Sequence, residues 1–65
     1  GVNVETIKQE MAEMTTAQAV TDHWDAALDW VSANRPLDDA SRLFIREVTA
    51  AKRSRIIDIQ CEVEA

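Results

Sequence analysis

Few residues in this chain could do chemistry: the single histidine His23, Asp22 and Asp25 close beside it, Asp29 one turn on, and the single cysteine Cys61. A histidine and a carboxylate form an acid–base unit when they face each other, because imidazole titrates near neutral pH. On a helix, adjacent side chains point about 100° apart, so Asp22 does not face His23. No serine or cysteine stands near the histidine in sequence. A chain of 65 residues with one glycine also has no phosphate-cradling loop and no oxyanion nest. The expectation is that this is not an enzyme. Asp22, Asp25 and Asp29 share a helix face that could attract a hard cation, but they lack the loop geometry of a calcium site. One His and one Cys do not make the four ligands of a zinc site. No metal and no cofactor are expected. Cys61 stands among Asp58, Glu62 and Glu64, a setting that disfavours a reactive thiolate, so it reads as a small apolar residue.

The element that must position these groups is the stretch from Ala17 to Val31, AQAVTDHWDAALDWV. Ala17, Val20, Trp24, Ala27, Leu28 and Val31 fall on one stripe roughly 100° wide, as on a core-facing helix. Trp30 projects about 60° beyond that stripe, near His23 and Ala26, and gives the helix a second apolar margin. The remaining face carries the three aspartates. A helix with two apolar sides needs two neighbours. Tryptophan is enriched at binding hot spots, so His23 and Trp30, with Asp22, Asp25 and Asp29, are the candidate partner-binding residues.

Composition sets the frame. Hydrophobic residues make up 46% and charged residues 29%, which is globular rather than disordered. A chain this short buries only about 60% of its unfolded surface, so its own core is marginal. With one cysteine no internal disulfide is possible, and oligomerisation is the expected remedy. No run of apolar residues is long enough for a membrane span, no signal peptide is visible, and the lone thiol suits a reducing compartment. A cytoplasmic protein is expected. The net charge of −5 is uneven: residues 1–39 hold eight acids against Lys8 and Arg35, residues 40–65 four acids against five bases. An acidic front half repels phosphates and suits a basic partner.

Taken in order, residues 3–14 read as a first helix, with Asn3 as cap and Glu5 in the first turn. Val4, Ile7, Met11 and Met14 recur at spacings of three, four and three, a narrow packing seam. Thr15 and Thr16 predict a break, and either can cap a second helix over 17–33. Asn34 is placed to take a left-handed position there, because Pro36 disfavours helix at Arg35. A third helix then starts at Pro36 or Asp38, which makes helices two and three antiparallel neighbours. Its core stripe is read as Leu37, Ala40, Phe44, Val48 and Ala51. Arg55 lands on the extension of that stripe. From Ile57 to Glu64 apolar and polar residues alternate strictly, a strand pattern. Ile56, Ile59 and Val63 fit a helix as well, and with no turn signal between Ala51 and Ile56 a continuing helix is favoured.

Arg42, Arg46 and Arg53 fall within about 40° of one another on the third helix. With Lys52 and Arg55 they form the strongest case for contact with nucleic acid or an acidic partner. Asp38, Asp39, Glu47 and Asp58 on the same segment, and the acidic chain as a whole, weigh against phosphate binding. The fold expected is all-α: a small three-helix unit built on an antiparallel hairpin, with helices near 4–14, 17–33 and 37–55 or extending to 63, in a homodimer or larger oligomer. The function expected is a non-enzymatic protein–protein interaction module, such as a small acidic regulator or inhibitor of a larger protein. The alternatives are a dimeric nucleic-acid-binding regulator that uses the arginine ridge, and a structural assembly subunit or a domain of a longer protein.

Overall fold

The computed structural model describes residues 3–64, with side chains placed through Glu62. It contains three helices: α1 (Val4–Glu13), α2 (Ala17–Asn34) and α3 (Asp39–Glu64). No strand occurs among the described residues. At 1.5 Å per residue α3 is about 39 Å long. It is the spine of a rod measuring 42 × 16 × 16 Å. Both shorter helices pack against it.

Each helix start has a side-chain cap. Asn3 Oδ1 accepts from the Thr6 N–H at 2.8 Å, Thr16 Oγ1 from the Ala19 N–H at 3.1 Å, and Asp38 Oδ1 from the Ser41 N–H at 2.8 Å. Each occupies one of the backbone donors that a helix start leaves without an internal partner. Of the two threonines it is Thr16 that caps, and Met14 is extended. The end of α2 differs from expectation. Asn34 stays helical, and no described residue has a positive φ. Pro36 confines the residue before it, Arg35, to extended backbone (φ −130°, ψ 147°), so the helix ends there without a left-handed Asn34. The Asn34 side chain instead donates to the Trp30 carbonyl at 2.9 Å.

The core runs the length of the rod: Ile7 and Met11 of α1, Val20, Ala27 and Val31 of α2, Phe44, Val48 and Ile59 of α3. The seam of α1 and the stripe of α2 therefore point inward. The stripe of α3 needs correction at its start. Leu37 precedes the helix and is 76% exposed, and Ala40 is exposed too. With Asp38 as cap, the first inward position is Ser41, which is 1% exposed. Beyond residue 55 the chain stays helical, so the alternating tail is not a strand; Ile59 is buried in the core. The side chain of Val63 and all of Ala65 lie outside the described residues.

The contacts of α2 on α3 run in opposite senses along the two helices. Trp24 meets Thr49 and Lys52, while Arg35, beyond the end of α2, lies over Phe44. The first helix sits mainly on the C-terminal half of α3 and touches α2 where Glu10 approaches His23.

Candidate functional site

His23 is not an open surface group. Its side chain is 25% exposed and turns toward α1, with Nε2 at 3.7 Å from Glu10 Oε2, beyond hydrogen-bond reach. That nitrogen is buried and has no hydrogen-bond partner among the described residues.

Trp30 is partly buried. It packs against the core, and the Arg35 guanidinium lies over its ring at 5.1 Å. The same guanidinium lies 5.2 Å from the Phe44 ring centre, so one cation bridges aromatic rings of α2 and α3. A cation over an aromatic face contributes about 0.5–1 kcal/mol at an exposed site. The second apolar margin of α2 is thus covered in part by its own chain, through a residue whose spacing to Trp30 gave no warning of it. Trp24, on the main stripe, has its Nε1–H donated to Thr49 Oγ1 at 3.0 Å and Lys52 Nζ 4.0 Å above its ring.

Asp22, Asp25 and Asp29 are all exposed on α2. Asp22 accepts from Gln18 at 2.9 Å, and none of the three lies in an ion pair among the described residues. They do not converge on a point. Among the described residues no group of three His, Cys, Asp or Glu side chains is placed to hold a metal ion. The acidic row is therefore a continuous uncompensated face rather than a coordination site.

On α3 the basic residues divide into two sets. Arg42, Arg46 and Arg53 are exposed, and among the described residues their one ion-pair contact is the marginal one of Arg42 to Asp39 at 4.0 Å. Lys52 and Arg55 are committed inside the fold: Lys52 to the Trp24 ring, Arg55 to carbonyl oxygens at the end of α1. Of the wider basic set read from the sequence, Lys52 and Arg55 turn inward, and the Arg42, Arg46 and Arg53 ridge stays exposed. Arg55 on an apolar stripe was the signal; its destination could be seen only once α1 was in place.

A shallow groove of about 670 Å³ runs between α1 and α3. Val4, Met11, Ala12, Ala50 and Ala51 supply its apolar lining, with Glu5, Lys8, Glu47 and Asp58 among its charged residues. Leu43 and Ile57, also on α3, stand 52% and 57% exposed, and Cys61 is a free, exposed thiol. No helix of the described residues is long and apolar enough to cross a membrane. Compared with known protein families, curated proteins and solved structures, the chain shows no significant match.

Proposed function

We propose that this chain is a non-enzymatic protein–protein interaction module whose acidic α2 face docks on a basic surface of a larger protein. The observation that carries this reading is the row Asp22, Asp25 and Asp29, exposed along one side of α2 and unpaired among the described residues. Rows of like charge steer association and select partners more than they add affinity. They fit a small regulator or inhibitor that must find its target quickly. The reversed order of contacts between α2 and α3 supports a helical hairpin as the rigid frame for this face. The test is capture from a lysate with the wild-type chain and with the triple variant Asp22→Asn, Asp25→Asn, Asp29→Asn as matched bait. A basic-surfaced protein held by the first and released by the second is the expected result. Identical captures from both baits would overturn the reading.

The nucleic-acid alternative retains one supporting observation: Arg42, Arg46 and Arg53 remain exposed. It requires steeply salt-dependent duplex binding that disappears when all three become Ala. Absence of binding at low salt disposes of it.

A further inference from the structure

The groove between α1 and α3 combines an apolar lining with free negative charge. Val4, Met11 and Ala12 of α1 face Ala50 and Ala51 of α3 across a space of about 670 Å³. Ala12 and Ala50 are exposed, so the groove is open to solvent above them. Leu43 and Ile57, 52% and 57% exposed, stand two turns before and after Ala50 and continue the apolar surface along that rim of α3.

Charge narrows what fits there. Lys8 lies 3.9 Å from Glu5, and Arg55 is turned into the end of α1, where it donates to the Met11 and Met14 carbonyls. Glu47 and Asp58 are exposed and in no ion pair among the described residues. The uncommitted charge of the groove is therefore negative. Three turns of α3 separate these two carboxylates, which sets them about 17 Å apart along one line of the helix, with Ala50, Ala51 and Ser54 between their levels. Arg46 and Arg53 lie about 100° or more round the helix from that line. A cation on that outer flank is repelled, so an occupant needs its cations in line with its apolar side chains and not all round it.

The walls also decide the occupant's backbone. Both are α-helices, whose interior N–H and C=O groups are paired within the helix, so an extended segment finds no ladder to join. A helix brings its own backbone pairing and lays only side chains into the groove. On such a helix, residues i, i+4, i+7 and i+11 share one face. Cations at i and i+11 match the spacing of Glu47 and Asp58, and apolar side chains at i+4 and i+7 meet the alanines between them.

We infer that the α1–α3 groove binds an amphipathic α-helix of a partner protein, its apolar side chains on Ala50 and Ala51 and a lysine or arginine at each end against Glu47 and Asp58. This goes beyond docking through the aspartate row of α2 and uses none of those residues, so the two readings stand or fall separately.

The probe is a capped, fluorescein-labelled helical peptide of alanine and glutamine, with leucines four and seven residues after a first lysine and a second lysine eleven after it. Its twin carries glutamates in place of both lysines. Fluorescence anisotropy at physiological salt is expected to show the lysine peptide bound at least tenfold more tightly than its twin. Glu47→Lys combined with Asp58→Lys is expected to reverse that preference. Ala50→Phe, at an exposed position, is expected to keep its helicity by circular dichroism and to lose the lysine peptide at least tenfold. The α2 variant Asp22→Asn, Asp25→Asn, Asp29→Asn is expected to bind as the wild type does. No binding of the lysine peptide overturns the inference, as do equal affinities for the two peptides or a preference that survives the Glu47 and Asp58 exchange. Binding indifferent to Ala50→Phe does the same, and loss in the α2 variant would place the peptide on α2 instead. A wild-type dimer by light scattering that Ala50→Phe dissociates would put a second copy in the groove and equally overturn it.

Discussion

Arg55 closes the C-terminal end of a helix to which it does not belong. Its Nη2 donates to the Met14 carbonyl at 2.7 Å, and its Nε–H is shared between the carbonyls of Met14 at 3.3 Å and Met11 at 3.1 Å. The last carbonyls of any helix lack internal partners and carry the negative end of its dipole. The final turn of α1 has no basic residue of its own, and no glycine follows it. A cation delivered from 41 residues away supplies what local sequence does not. The planar guanidinium can reach two carbonyls at once, which an ammonium group does with poorer geometry.

Arg55→Ala is therefore expected to cost about 2 kcal/mol, the range for hydrogen bonds to a charged donor. In a domain of this size that is a fall in Tm on the order of 10 °C. Arg55→Lys should recover less than half of it. Thermal melts followed at 222 nm would check this, and a Lys variant as stable as the wild type would show that charge alone suffices.

Arg55 also marks the limit of what the sequence discloses. Periodicity was enough for the inward faces of α1 and α2, because Val4, Ile7, Met11 and the Val20–Val31 stripe obey a local repeat set by helix geometry. Caps at Asn3, Thr16 and Asp38 follow from short-range chemistry. A polar residue in a seam, by contrast, takes its meaning from whatever lies across from it. Arg55, Ser41 and the Arg35 guanidinium between Trp30 and Phe44 all depend on contacts between helices that no spacing rule encodes. Leu37 was misplaced for a related reason: the cap at Asp38 starts α3 later than the apolar pattern suggested. Of the candidate site residues, the exposure of the acidic and arginine rows could be read from their faces. The inward turn of His23 toward Glu10 could not.

Thr49 holds the indole of Trp24 in place through the 3.0 Å bond to Nε1–H. Thr49→Val keeps the shape and removes the acceptor, leaving a partly buried donor unpaired at a cost of about 1–3 kcal/mol. Thr49→Ser restores the acceptor and should lose under half as much. Urea denaturation followed by tryptophan fluorescence separates the three proteins. A Val variant equal to the wild type would mean that the indole N–H is satisfied by solvent.

Asp38 predicts a pH response. The Ser41 backbone N–H, followed by the Ser41 side chain, holds the Asp38 carboxyl below its ordinary value. A folded-state value lower than the unfolded one means that the cap contributes its full stability above the unfolded value of about 3.9. That contribution fades as pH falls through the lower folded value. Asp38→Asn retains a capping oxygen without a titrating group. Its urea midpoint should therefore fall less steeply than the wild type's as pH drops below the unfolded value of about 3.9. Parallel acid limbs for the two proteins would show that Asp38 does not contribute to the acid response.

The buried Nε2 of His23 lies 3.7 Å from the Glu10 carboxylate and has no hydrogen-bond partner among the described residues. A buried polar atom left unpaired costs about 1–3 kcal/mol, whereas an apolar group of similar size in its place is close to neutral or stabilising. His23→Leu is thus expected to raise stability by about 1 kcal/mol, with Tm up by roughly 4–8 °C. His23→Ala, which opens a gap between α1 and α2, should lower it. The pair of variants separates polarity from packing. If Leu and Ala destabilise equally, the imidazole is making a bond that the folded chain needs. If Leu stabilises while partner capture is unchanged, His23 has no part in the contact surface, and the interaction rests on the aspartate row of α2.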